Sequence, residues 1–192
     1  VSQKMDPRIK RTRRFLMEAI LSLLEEQEFE SLTVKDIAQK ANINRATFYK
    51  HYHDKHELLE QCIKEEIQYL TEYLVPTVPA RPQQDEALSV ALYRRIDERK
   101  PFYKAMLAKG DFPLFRQGLY DIIKKSLYRY RNRTQNIHDP NVKPDILEPF
   151  MVYGQLGVIT SWLQYDLKYS PELMADQILR IIDRVTNHNQ TD

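Results

Sequence analysis

Apolar positions recur three and four residues apart along nearly the whole chain, and the breaks between the runs divide it into helices. Ile9, Leu16, Ala19, Ile20, Leu23 and Leu24 share one face of a first helix that ends near Glu28. Residues 8–75 contain neither Gly nor Pro, so capping residues must set the boundaries there. Thr33-Val34-Lys35-Asp36 reads as a capping box, which starts a second, short helix at Val34. That helix carries Ile37, Ala38 and Ala41 and stops at Asn42, a residue type that tolerates the left-handed backbone of a sharp helix exit. Asn44 then caps a third helix from Arg45 to about His51, with Ile43, Phe48 and Tyr52 turned inward. Asp54-Lys55-His56-Glu57 repeats the capping logic and opens a long fourth helix carrying Leu58, Leu59, Cys62, Ile63, Ile67, Leu70 and Leu74.

Pro76, Pro79 and Pro82 interrupt the pattern as a connector. Helical segments follow over residues 85–99, 101–108 and 113–131, then a polar stretch over 132–143. Two final helices, 145–168 and 171–187, are divided by Ser170-Pro171, a cap followed by proline at the first helical position. No stretch alternates with period two for long enough to form a sheet. The expected fold is all-α: a three-helix N-terminal domain over residues 1–55 and a helical bundle over 56–192.

Composition narrows the chemistry. Four glycines among 192 residues, all after residue 109, leave no glycine-rich phosphate loop and no nucleophile elbow. No paired catalytic carboxylates or E-x-x-H motif is present either, so an enzyme in the C-terminal bundle ranks last among the readings. Cys62 has no partner in the chain, which points to a reducing compartment and the cytoplasm; its place on an apolar helix face makes it a small core residue. No signal-peptide pattern follows the N-terminal charges, and the uncharged run 149–165 is shorter than a membrane span, so no membrane partner is expected. His51, His53, Asp54 and His56 do not place three ligands on one helical face, and Lys50 and Lys55 would repel a cation; neither metal nor cofactor is expected.

The net charge of +2 hides an asymmetry. Residues 1–55 hold 11 Lys+Arg against 8 Asp+Glu, whereas 56–192 hold 18 against 19. Lys4, Arg8, Lys10, Arg11, Arg13 and Arg14 form a basic segment, read as a mobile arm suited to phosphate or minor-groove contact. Beside it, residues 34–52 have the pattern of a helix-turn-helix: a short bracing helix, a sharp turn at Asn42, and a second helix with Phe48 inward. Arg45, Thr47, Tyr49 and Lys50 are left free to meet base edges and phosphates in the major groove of double-stranded DNA.

Leu32-Thr33-Val34-Lys35-Asp36-Ile37-Ala38, then Ala46-Thr47-Phe48-Tyr49-Lys50-His51-Tyr52 with Lys55 and Leu58-Leu59 behind it, resembles the N-terminal domain of the TetR family of transcriptional regulators. The resemblance implies DNA contact by Lys35, Arg45, Ala46, Thr47, Tyr49, Lys50 and His51, and phosphate fixing by Thr33, Tyr49 and Lys55; Asn44, at the cap, completes the candidate set. Asn42 stands where the family most often has Gly. Tyr153-Gly154-Gln155-Leu156-Gly157-Val158-Ile159, Trp162 and Tyr169-Ser170-Pro171-Glu172-Leu173 are similar to the subgroup related to the dihydroxyacetone-kinase operon regulator. That likeness implies a homodimer built on the last two helices. Gly154 and Gly157 thin one helix, and Leu173, Ile178, Ile181, Ile182 and Val185 form an apolar stripe on the next. Phe102, Met106, Phe115, Tyr120, Tyr153 and Trp162 are candidates to line an effector pocket. The expected function is a repressor binding a palindromic operator as a homodimer under control of an effector, with a co-activator controlled by a protein partner as the alternative.

Overall fold

The computed structural model describes residues 6–74, 82–110, 112–134, 142–166 and 168–186. Every regular element among them is helical: α1 (Pro7–Glu26), α2 (Val34–Lys40), α3 (Arg45–Tyr49), α4 (Lys55–Leu74), α5 (Pro82–Glu98), α6 (Lys100–Lys104), α7 (Pro113–Thr134), α8 (Pro144–Gln164) and α9 (Pro171–Thr186). A 3-10 turn at Phe29–Ser31 joins α1 to α2, and a π turn at Ala105–Lys109 continues α6. Pro76 and Pro79 of the connector, and most of the polar stretch, lie outside the described residues; Pro82 opens α5 instead of preceding it.

Local signals account for most boundaries. Asp6 caps α1, accepting from the Arg8 backbone N–H at 2.8 Å with Pro7 in the first turn. The helix therefore begins inside the basic segment, and Arg8 to Arg14 are helical rather than part of a mobile arm; Lys4 lies outside the described residues. α1 stops two residues short of Glu28 because the chain turns to bury Phe29, whose ring meets His56 and Phe112 edge-on at 5.0 and 5.8 Å. α8 ends at Gln164, not Lys168: Asp166 takes the left-handed region at φ 49° and its carboxylate pairs with Lys100. Ser170 caps α9 through the Leu173 N–H, as its Ser-Pro pair predicts.

The helices share one continuous apolar core. α5 packs along α9 and α4 along α7, while α1 rests on α2, α4 and α6. Gly118 permits the α4–α7 approach, since a Cβ there would stand 2.7 Å from Ile67. Gly110 closes the π turn by donating to the Ala105 carbonyl at 3.1 Å, and a Cβ there would overlap the Phe112 ring. α4 runs beneath both halves: Leu58, Leu59, Cys62 and Ile63 are buried early, Leu70 and Leu74 late. Burial pushes the Cys62 thiol up to about 12, which suits an inert core residue.

Between these sets lies the one buried charged side chain among the described residues, Glu66, with 1% of its surface exposed. Its Oε1 accepts from Arg95 Nε (2.9 Å) and the Tyr103 hydroxyl (2.7 Å), and its Oε2 from Arg95 Nη2 (2.8 Å) and Arg99 Nη1. Burial alone would raise the carboxyl pKa. The hydrogen bonds from Arg95 and Tyr103, with the charges of Arg99 and Arg95, outweigh it and hold the group below its ordinary value. α4, α5 and α6 are thereby pinned at one point.

Candidate nucleic-acid interface

The helix-turn-helix is built from its caps outward. The Asp36 N–H donates to Thr33 Oγ at 3.2 Å, while the Thr33 N–H and hydroxyl both donate to Asp36 Oδ2, at 3.0 and 2.6 Å. Those bonds, the hydroxyl's first, keep the Asp36 carboxyl below its ordinary pKa. α2 then ends at Lys40, and Asn42 adopts φ 54°, the left-handed turn expected of it. Ile43 donates back to the Ala38 carbonyl at 2.9 Å, which closes the turn. Asn44 Oδ1 accepts from the Ala46 N–H at 2.8 Å and starts α3. α3 is only five residues long; Lys50, His51 and Tyr52 continue as a tight turn whose N–H groups bond Thr47 and Phe48 carbonyls.

Phe48 is fully buried and anchors α3, while Tyr49, one residue on, is 51% exposed. Arg45, Ala46 and Lys50 are exposed with it, as are Lys35 and Thr33 at the start of α2 and Asn44 at the cap. The result is a rim of donors on one side of a short, anchored helix. Thr47 and His51 are half-buried. Burial first, then the charges of Arg13 and Lys50, lowers the His51 pKa, so the imidazole is neutral at pH 7.

Lys55 departs from the rest of the set. Its ammonium donates to the Phe29 and Glu30 carbonyls, both at 2.9 Å, and lies 4.7 Å from the centroid of the Phe29 ring. A cation in the first turn of α4 opposes the helix dipole, and those two carbonyls offset the conflict by holding it inward. Lys55 thus fixes the α1–α2 connection. Arg13, one of the basic segment's residues, has a defined place beside the helix-turn-helix. Its guanidinium stands 5.6 Å from the centroid of the Tyr52 ring, and both its Nε and the Tyr52 hydroxyl are buried without a hydrogen-bond partner. The signal was its spacing from Ile9, Leu16 and Ile20, which places a cation on the apolar face of α1. Between α1 and the α2–α3 turn runs an open groove bordered by Arg8, Arg11, Phe15, Lys40 and Asn42.

The effector candidates fall into separate groups. Phe102 and Phe115 meet edge-on at 5.3 Å and Tyr103 meets Phe115 at 5.5 Å, so these rings pack against one another in the core, where Met106 is buried too. Trp162 packs on Tyr93, and Tyr120 and Tyr153 pair at the surface. A cavity of about 70 Å³ lies elsewhere, between the end of α4 and helices α5, α7, α8 and α9, and none of the six lines it. The dimer candidates divide as well. Ile178 and Ile182, 5% and 8% exposed, turn inward and border that cavity; Ile181 and Val185, at 50% and 40%, face out. On α8, Gly154 and Gly157 are exposed with nothing within 4 Å of a Cβ, beside exposed Phe150 and Tyr153. Among the described residues no cluster of three or more His, Cys, Asp or Glu is placed to hold a metal, and no helix is long and apolar enough to cross a membrane.

Comparison with known proteins agrees with this geometry. Residues 16–62 match the family described as bacterial regulatory proteins, tetR family, and residues 83–184 the family described as transcriptional regulator C-terminal region. An uncharacterized HTH-type transcriptional regulator of Bacillus subtilis, YxbF, is 39% identical over 186 residues; these cover 94% of this chain and 47% of that protein, so the chain spans about half the relative's length. A TetR transcriptional regulator from Streptococcus agalactiae superposes with a TM-score of 0.71 at 22% identity, covering 95% of this chain and 97% of that one. The dihydroxyacetone kinase operon activator DhaS does so at 0.62 and 18%, covering 91% and 96%. At those identities the two structures speak for the fold.

Proposed function

The chain belongs to the TetR family of transcriptional regulators, DNA-binding proteins rather than enzymes, and from that premise we propose that it is a homodimeric repressor of a palindromic operator, released by an effector bound in its C-terminal domain. Residues 1–55 act as the DNA-binding unit and 56–192 as the effector and dimer unit, in the cytoplasm. The observation that carries this reading is α3, anchored by a fully buried Phe48 and presenting Arg45, Tyr49 and Lys50 outward from a cap and a left-handed turn that fix its angle. Such a helix suits the major groove, where a guanidinium reads guanine and a phenol meets phosphate or a base edge.

One five-residue helix reads too few bases to be selective, and two-fold symmetry doubles the site. The outward residues of α8 and α9 support that pairing: Phe150, Tyr153, Ile181 and Val185 are apolar and exposed, and the bare faces of Gly154 and Gly157 let a second helix come close. Control follows from linkage, since an effector lowers operator affinity only by binding the non-operator conformation more tightly.

The test is selection of bound duplexes from a random pool by the purified protein and by a variant with Arg45, Thr47 and Tyr49 all changed to Ala. A two-fold symmetric site enriched by the native protein and lost in the variant is expected, with each base-reading side chain contributing about 1–3 kcal/mol per half-site. Equal enrichment by the triple variant rejects α3 as the reading helix.

A further inference from the structure

We infer that the cleft where the end of α1 and the 3-10 turn face the π turn binds an organic ammonium ion that carries one aromatic ring. That its binding alters operator affinity rests on the regulator reading above; that it binds does not. The cleft has a volume of about 290 Å³ and shares no lining residue with the cavity between α5, α7, α8 and α9. Leu24, Phe29, Ala105 and Phe112 supply its apolar lining; the first three are buried and Phe112 is half-buried. Two of them are rings that meet edge-on at 5.8 Å.

Size and charge select the guest. An apolar cavity of roughly 150 Å³ takes up benzene, and this cleft has about twice that volume, so one ring with a short chain fits. The ring packs on Phe29 and Phe112, where aromatic pairs gain beyond the area they bury. Among the described lining residues the charged ones are Glu28, Glu30 and Lys109, all exposed, so acid outnumbers base at the mouth. Lys55 is not a lining residue, and the Phe29 and Glu30 carbonyls already hold its ammonium. A carboxylate guest would meet two like charges and an alcohol would gain from the apolar lining alone. An ammonium guest gains from both.

The cleft also joins the two halves of the molecule. One wall, Glu28 to Glu30, is the connection between α1 and α2 that Lys55 ties to the first turn of α4. The opposite wall is the π turn that continues α6, a kind of irregularity frequent at functional sites. Lys109, in that turn, donates across to the Glu25 carbonyl at 3.5 Å. A guest held between these walls touches the segment that sets α2 against α1 and α4. It changes operator affinity to the extent that it binds one arrangement of the two walls more tightly than another.

Titration of the full chain, free of DNA, with 3-phenylpropylamine, 3-phenylpropan-1-ol and 3-phenylpropanoate tests this by chemical-shift perturbation, since the three probes share a phenylpropyl skeleton and differ at the head group. The amine should shift the Leu24, Phe29, Ala105 and Gly110 amides saturably. It should bind about fivefold more tightly than the alcohol, the effect of one exposed charge pair after Lys109 opposes the second acid. The carboxylate should give no saturable shift. Changing Glu28 and Glu30 together to Gln, both at exposed positions, should bring the amine down to the affinity of the alcohol, and Lys109→Gln should tighten the amine. The carboxylate binding as well as the amine, no saturable shift with the amine, amine binding indifferent to the paired Gln substitutions, or shifts that gather on α5 and α9 instead overturns the inference. Failure here leaves operator selection untouched, and failure of operator selection leaves this titration standing.

Discussion

Replacing Glu66 with Leu removes the acceptor that four donors on α5, α6 and the Arg99 junction between them share, and its cost follows from what each donor does next. Tyr103 is fully buried, so its hydroxyl is left unsatisfied at about 1–3 kcal/mol. The Arg95 and Arg99 side chains are 23% and 25% exposed, so water recovers part of their hydration. What remains is two guanidiniums facing an apolar side chain with no counter-charge. Breaking a buried pair in this way typically costs about 3–5 kcal/mol, and the partial exposure places Glu66→Leu near the lower end. Glu66→Gln keeps one acceptor oxygen for Arg95 Nε and Tyr103 but turns an amide N–H₂ toward Arg95 Nη2 and Arg99 Nη1, so about 2–3 kcal/mol is expected from two lost charge-assisted contacts between partly exposed guanidiniums and the carboxylate. Urea melts of the two variants measure both values. The carboxyl pKa lies below its ordinary 4.5 in the folded chain, so its contribution is complete above pH 4.5 and is lost as pH falls through the folded value. Glu66→Gln should remove that part of the acid dependence. A loss under about 1 kcal/mol for Glu66→Leu would mean that the guanidiniums are hydrated regardless of Glu66, and the pinning of α4 would have to come from apolar packing alone.

Asn42→Ala should cost about 1 kcal/mol in the same melts, because a Cβ-bearing residue without a compensating amide must hold φ 54°, whereas Asn42→Gly should change stability by no more than about 0.5 kcal/mol; equal losses for both would show that the Asn42 side chain, not its backbone, matters. His51 has its pKa lowered below 6.5 in the folded chain, so the unfolded chain binds the extra proton: stability is complete above pH 6.5 and falls as pH drops toward the folded pKa. Urea melts between pH 7.5 and pH 5 should show that slope, and His51→Gln should flatten it; an unchanged slope would place the titrating group elsewhere.

What the sequence disclosed is set by range. Thr33 and Asp36 are three residues apart, Asn44 and Ala46 two, Ser170 and Leu173 three, and Asn42 needs only its own backbone, so each of these could be read from neighbours. The Asp54–Glu57 cap was nearly legible: Asp54 accepts from the Glu57 N–H as expected, but Glu57 reaches the N–H of His53 rather than that of Asp54. The basic segment is helical and not a mobile arm for a local reason too: Asp6-Pro7 is itself a helix-start signal directly ahead of the basic residues.

Contacts over longer range left weaker traces. Ile181 and Ile182 are adjacent and both apolar, but successive residues on a helix point about 100° apart; only the position of α5 decides that one is buried and the other exposed. Periodicity likewise reports that Phe102, Met106 and Phe115 are inside, and is silent on whether they surround a space or fill it. The cavity had its own trace in Ser126, a polar residue within the apolar face formed by Ile122, Ile123 and Leu127. Glu66 had the same kind of trace, one turn from both Cys62 and Leu70 on the buried face of α4. A carboxylate in that row must have cationic partners, and that much follows from helical spacing. Which cations and which neutral donor they are does not: Arg95, Arg99 and the Tyr103 hydroxyl lie 29 to 37 residues away, beyond the connector, and only the packing of α5 and α6 against α4 brings them to it.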